Sequence, residues 1–229
     1  MKKDPERQQE QRGRILQAAA GFIAAHGYHG MSMRDLAKAT DRSLSTFYNY
    51  FSSKEDVLFV LQKEAFETLI SVINETLEGV TDPVGRLYLF ILNHLCYFVH
   101  HPDVMRVLVH EAGALPARRR RAVRRVKEEY FGIALEIVRT LIHQTAASVD
   151  EIELERRTYS MFGMLNWVYG WYEPSRHGTP QEVARTIHVL ALSGLTPQRL
   201  YRRLHERMEA HLKSVNASPL IGCGAAERE

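Results

Sequence analysis

Residues 45–49, Ser-Thr-Phe-Tyr-Asn, gather four hydrogen-bonding side chains around one aromatic ring. At helical spacing, with Phe47 pointing inward, Phe51 lies about 40° away and Leu44 and Tyr50 about 60°. Ser45 and Asn49 then fall nearly opposite, with Thr46 and Tyr48 on the flanks. That outer face offers hydroxyl and amide groups able to bond base edges and phosphate oxygens, and no negative charge that would repel them. Arg34, Lys38, Arg42 and Lys54 stand close in sequence. They can supply salt-dependent attraction to phosphates, and Lys54 opens a long helical pattern whose free N–H groups also suit an anion. The same charges suit the solvated surface of a small helical bundle, and both readings stay open.

A second cluster carries a different chemistry. Arg118, Arg119, Arg120, Arg121, Arg124, Arg125 and Lys127 lie within ten residues, with no Asp or Glu from 112 to 127. Cations in the first turn of a helix oppose its macrodipole, at roughly 0.3–1 kcal/mol each at low salt. Arginines four apart, Arg120 with Arg124 or Arg121 with Arg125, can grip phosphate oxygens in pairs. Neutralisation by acidic surface such as Asp150 to Glu155 is one alternative, and contact with DNA is another, weakened by distance in sequence from residues 45–49. A third group is aromatic: Trp167 and Trp171 share a helix face, with Tyr172 beside them and Arg176 beyond Pro174. These indoles suit either a dimer core or the wall of a ligand pocket.

Other chemistries find little support. Eleven histidines are present, but no HExxH and no paired Cys/His spacing. GxSxG, P-loop and GxGxxG motifs are absent from a suitable context. No catalytic or metal-binding residue is therefore assigned. Were the chain an enzyme, His100, His101, His110 and Glu111 acting on a hydrophobic substrate would be the group to test. Cys96 and Cys223 are far apart and lack CxxC spacing, which speaks against a disulfide framework and implies a reducing compartment.

The elements that must position these groups are all helical by periodicity. Expected helices run from about 11–26, then a short one after Ser32, then 44–50, 53–78, 83–100, 103–113, 116–146, 150–172 and 180–195, with a further one at 200–213. Ser32, Ser43 and Ser53 are suitable caps, and Gly27 a suitable stop. The 229 residues carry 45% hydrophobic and 25% charged residues and a net charge of +3, an ordinary globular composition. The charge is uneven: residues 1–54 hold nine Lys/Arg against five Asp/Glu, so the whole excess sits there. The polar amino terminus is no signal peptide, and no apolar run is long enough to span a membrane. A cytoplasmic location is expected.

Two very short helices joined by a four-residue turn, after a longer one, form the arrangement that presents a helix to the major groove. The residues that fill it, Met33-Arg34-Asp35-Leu36-Ala37-Lys38-Ala39 and Ser43-Leu44-Ser45-Thr46-Phe47-Tyr48-Asn49-Tyr50-Phe51-Ser52-Ser53-Lys54-Glu55, resemble the DNA-binding signature of the tetracycline-repressor family. Arg42 departs from it, standing where that family usually has a buried aliphatic residue. The resemblance implies phosphate contacts by Tyr48 and Lys54, base contacts by Ser45, Thr46 and Asn49, and core roles for Phe47 and Phe51. The full candidate DNA-contacting set is Ser32, Arg34, Arg42, Ser43, Ser45, Thr46, Tyr48, Asn49, Tyr50 and Lys54.

The resemblance also implies an architecture. Residues 1–54 form a three-helix, helix-turn-helix DNA-binding domain, residues 55–213 a larger all-α ligand-binding and dimerisation domain, and 214–229 a disordered tail. The last two long helices pair across a two-fold axis. The stretch from Asn166 to Pro174 resembles the branch of the family responsive to acyl-CoA thioesters, associated with fatty-acid, steroid and aromatic-acid catabolism. The expectation is a homodimeric repressor without a cofactor, bound to a pseudo-palindromic operator in double-stranded DNA and released by a small apolar or acyl-CoA effector. Trp167, Trp171, Arg176, Arg120, Arg121, Arg124 and Arg125 are its candidate ligands. A multidrug-type sensing repressor is the alternative within the class, and a helical metal- or lipid-binding enzyme the alternative outside it.

Overall fold

The computed structural model describes residues 5–144, 149–195 and 206. Every described element is helical, in agreement with the all-α reading. The expected helix at 200–213, apart from residue 206, and the tail from 214 lie outside the described residues. Contacts divide the chain into two compact units, Met1–Glu67 with His101–Lys127, and Thr68–His100 with Glu128–Glu229.

The first unit begins with α1 (Pro5–His26). It stops where Gly27 takes φ 75°, a conformation glycine adopts without strain, and its N–H donates to Ile23 O at 2.8 Å. Helix α2 (Met33–Ala39) starts on a capping box in which Ser32 and Asp35 bond each other's backbone N–H. Asp41 then turns the chain with φ 51°, and Ser43 caps α3 (Leu44–Tyr48) by accepting from Thr46 N–H. Helix α4 (Lys54–Thr76) opens with Asp56 N–H donating to Ser53 Oγ at 3.2 Å.

The sequence boundary at residue 54 marks the end of the helix-turn-helix, but the core around it is larger. Ile15, Ala19, Ile23, Leu36, Phe47, Phe51 and Leu58 pack in one cluster with Val107, Leu115 and Val123. These last three bring α6 (Pro102–His110) and the start of α7 (Ala117–His143) into the same unit. Helix α6 packs mainly on α1, so the apolar core that holds Phe47 and Phe51 continues past the three-helix head.

The second unit is built around α5 (Pro83–His100), which is buried on almost every side, as its nearly unbroken apolar sequence requires. It packs against α8 (Glu151–Asn166), a 3-10 turn (Val168–Gly170) and α10 (Pro180–Leu195), with the one-turn α9 (Pro174–His177) between the last two. The helix expected to run unbroken to Tyr172 therefore ends at Asn166. There the chain tightens to i+3 bonds, Gly170 N–H to Trp167 O at 3.0 Å and Trp171 N–H to Val168 O at 3.2 Å, which satisfy carbonyls that a straight helix end would leave open.

Candidate functional site

The face read from the wheel is present on α3. Phe47 and Phe51 are fully enclosed, their ring centroids 5.7 Å apart, while Ser45 and Asn49 are exposed and Tyr48 is 50% exposed. The Ser43 hydroxyl, besides capping the helix, lies 3.0 Å from Ser45 Oγ and 2.8 Å from Thr46 Oγ1. Three hydroxyls thus form a chain that can donate or accept on demand, which suits base edges of either polarity. Arg34 and Lys38 on α2 are exposed. Arg42 is exposed too, and its backbone N–H donates to Ala37 O at 2.9 Å. The turn is therefore held by backbone, and the guanidinium reaches solvent instead of the buried slot.

Two residues of the candidate set are otherwise engaged. Tyr50 is half-buried, and its hydroxyl donates to Gln11 Oε1 on α1 at 2.8 Å, so it ties helices together on the far side of α3 from the polar face. Lys54 Nζ donates to Met31 O at 3.2 Å and to Tyr28 O and His29 O at 3.5 Å, and lies 4.8 Å from the Tyr28 ring centre. Its ammonium braces the loop between α1 and α2. The ammonium is thus turned to the protein's own carbonyls, away from the role the resemblance implies for it. Tyr28, whose hydroxyl donates to Glu55 at 3.1 Å, has its pKa pushed up to about 12, by burial first and that carboxylate second.

In the second unit, Trp167 and Trp171 meet in an open groove of about 690 Å³ between α8 and α10, walled mainly by Met164, Val183, Ile187 and Leu190. Trp167 is 63% exposed and Leu190 55%. His177 also lines it, edge-on to Trp171 at 5.0 Å, a neighbour that sequence reasoning missed. Arg176 is exposed on α9 and is not among the groove's lining residues. A second, more polar groove of about 690 Å³ is lined by residues that include Arg86, Glu129 and Glu136.

The arginine cluster falls in the first unit, apart from the indoles. Arg119 Nη2 donates to Asp56 Oδ1 at 3.0 Å and its guanidinium lies 5.4 Å from the Phe59 ring centre. Arg120 donates to Gly113 O at 3.5 Å, while Arg118, Arg121, Arg124 and Arg125 are exposed.

Known proteins share this arrangement. The model of the family described as "Bacterial regulatory proteins, tetR family" matches residues 15–61, and that described as "Tetracyclin repressor-like, C-terminal domain" matches residues 80–195. The chain belongs to the tetracycline-repressor family. The regulator HbdR of Aromatoleum is 33% identical over 84 residues, a match covering 37% of each chain. The repressor KstR2 of Mycobacterium tuberculosis is 23% identical over 191 residues, covering 82% of this chain and 94% of its own. The solved structure of AibR, in complex with isovaleryl coenzyme A and operator DNA, has the same fold, with a TM-score of 0.68 at 22% identity over 79% of this chain and 97% of that one. This member of the tetracycline-repressor family is a transcription regulator and not an enzyme.

For a regulator of this family, the interior of the second unit holds one cluster that the sequence reading passed over. His94 is fully buried, with Nδ1 3.2 Å from Tyr130 Oη and the Phe98, Tyr130 and Phe162 rings within 4.7–6.0 Å. Burial holds its pKa down to about 3, and the nearby Asn166 side chain, which favours the charged ring, only partly opposes this. Asn166 does not reach hydrogen-bond geometry with Nε2, which has no partner among the described residues. A His four residues before Phe98 and four after Phe90 on an apolar helix was the available signal. Among the described residues, no group of three or more His, Cys, Asp or Glu side chains is placed to hold a metal ion, and no helix is long and apolar enough to cross a membrane.

Proposed function

We propose that this regulator is a homodimeric repressor that reads a pseudo-palindromic operator with two copies of α3 and is released by an apolar acyl effector carried as a coenzyme A thioester. The observation that carries the reading is the outward row of Ser45, Thr46, Tyr48 and Asn49 over a fully enclosed Phe47. The exposed apolar face formed by Trp167 and Leu190, which line one groove, supports the dimer, since a two-fold contact lets each copy cover the other's indoles. Trp167 and Trp171 are accordingly given to the subunit contact.

The effector reading draws on AibR, whose structure holds isovaleryl coenzyme A, and on the aromatic interior around His94. The His94–Tyr130 pair, joined through Nδ1, keeps one proton to donate, on Nε2 or on the Tyr130 hydroxyl according to tautomer, and so offers a single hydrogen bond to an acyl carbonyl within an otherwise apolar shell. Arg176, adjacent to groove-lining His177, remains for a phosphate. Release follows by population shift: two heads set one DNA turn apart, about 34–36 Å, lose register when the dimer pivots, and α4 and α7, which run from one unit into the other, are the levers.

The test uses a duplex selected by the protein from a random pool. Coenzyme A thioesters of stepped chain length are added to the complex, and dissociation with an optimum length is the expected result. No dissociation at any length, together with release by lipophilic drugs, would favour the multidrug-type alternative.

A further inference from the structure

Helix α7 begins with four consecutive arginines and no acidic residue in its first turn, an arrangement that its own dipole opposes. The structure divides them by role. With Val123 directed into the core, Arg119 falls about 40° from it and is consumed by Asp56 and Phe59. Arg118, Arg121 and Arg125 fall about 140–160° from Val123, on one stripe spaced three and four residues apart, all exposed. None of the three makes an ion pair among the described residues. The stripe is about 10 Å long at the helical rise.

Its location is fixed by the Arg119 contact. Asp56, which takes the Arg119 guanidinium on Oδ1, accepts from the Ser52 N–H at 3.1 Å and the Ser52 hydroxyl at 3.2 Å on Oδ2. The start of α7 is thus pinned to the turn between α3 and α4, the turn that presents the α4 N–H groups. Neither groove described above includes Arg118, Arg121 or Arg125 in its lining. A convex, exposed row of guanidinium groups suits an extended polyanion better than a small ligand that must be enclosed.

We propose that Arg118, Arg121 and Arg125 form an auxiliary phosphate-binding row that engages duplex DNA outside the base-reading helix. The row rests on the DNA-binding reading and extends it: it adds sequence-independent attraction, which strengthens capture of DNA beside the operator and steepens the dependence on salt. It also explains why an unfavourable charge run is kept at a helix start.

The test is fluorescence anisotropy on a random-sequence duplex of about 40 base pairs, titrated from about 50 to 200 mM salt. The R118Q/R121Q/R125Q variant is expected to flatten the slope of log K against log salt by about two to three, near 0.9 for each lost contact. The R118K/R121K/R125K variant keeps the charge and is expected to keep most of the wild-type slope, with both variants matching the wild type in circular dichroism. Wild-type binding with an unchanged slope in the Gln variant overturns the row alone, as does equal flattening by Gln and Lys. Failure of the wild type to bind any duplex at the lowest salt overturns the DNA-binding reading and the row with it.

Discussion

In the unit that carries α3, surface polar groups are held by short local bonds: Ser32 with Asp35, Ser43 with Ser45 and Thr46, Ser52 with Asp56. Among the described residues of that unit, Gln62 is the one buried polar side chain, and it donates to Glu111 O at 3.0 Å. In the unit built on α5 the pattern is reversed. Asn93, His94, Thr158 and His188 are buried inside it, while Trp167, Trp171 and Leu190 are exposed outside. A buried imidazole nitrogen without a partner and an uncovered indole both leave free energy to be gained from something outside the chain. Most polar groups of the head are thus met from within it, Arg119 Nη1 being a buried exception, whereas on the proposed reading a ligand and a second copy would meet the groups left open in the second unit.

The largest expected effect tests whether the head stands as a separate piece. Phe47→Ala removes a ring with no exposure and should cost about 3–5 kcal/mol in that unit. Both tryptophans belong to the other unit, so indole fluorescence reports the sensor while circular dichroism reports both. In a denaturant titration, the variant should show an early dichroism phase that fluorescence lacks. Coincident transitions would mean that α4 and α7 weld the two units into one cooperative structure.

Next in size is the uncovered face. Trp167→Glu with Leu190→Glu places two carboxylates where the second copy is expected, and sedimentation should give the single-chain mass of 26.3 kDa. Binding to the selected duplex should fall at least tenfold, because one head then binds without the other. A doubled mass in the variant would remove the indoles from the subunit contact.

His94 gives a smaller, pH-dependent effect confined to the sensor. Its ring stays neutral in the fold down to about pH 3, whereas the unfolded ring takes a proton below its ordinary value near 6.5. Between those values the unfolded state binds the extra proton, so stability should fall with falling pH by up to about 1.4 kcal/mol per pH unit. His94→Gln should remove that share of the slope in fluorescence-monitored unfolding. An unchanged slope would place the imidazole in contact with water and withdraw it from the effector reading.

The same contrast decides what the sequence could reveal. The head was legible because each of its rules acts over a few residues: Ser32 and Ser43 as caps, Gly27 as a stop, Phe47 and Phe51 one turn apart under a polar face. Its true extent was not, because Val107, Leu115 and Val123 enter the same core from some fifty residues or more beyond Lys54, and no local pattern marks that. The tie made by Tyr50 was hidden for a similar reason: its partner, Gln11, is on another helix. In the sensor, periodicity located α5 and α10 but could not show that the chain tightens after Asn166, nor that His94 would turn inward to Tyr130. The arginine run was visible from the start, and only the Arg119–Asp56 pair shows that it belongs with the head.

Lys54 supplies the finest test of a head that is already set. By resemblance it is a phosphate contact, yet its Nζ donates to three carbonyls of the loop between α1 and α2 and lies over the Tyr28 ring. Lys54→Met keeps the stem that covers Tyr28 and removes only the ammonium. The carbonyls sit at a partly exposed edge where water can replace it, so the expected loss of stability is about 1 kcal/mol. The salt slope of DNA binding should stay within experimental error of the wild type, unlike that of the Arg118 row. A slope flattened by about one would show the opposite, that the ammonium leaves its carbonyls for a phosphate when DNA arrives. In that event the head, like the sensor, is completed by its partner, and the difference between the two units becomes one of degree.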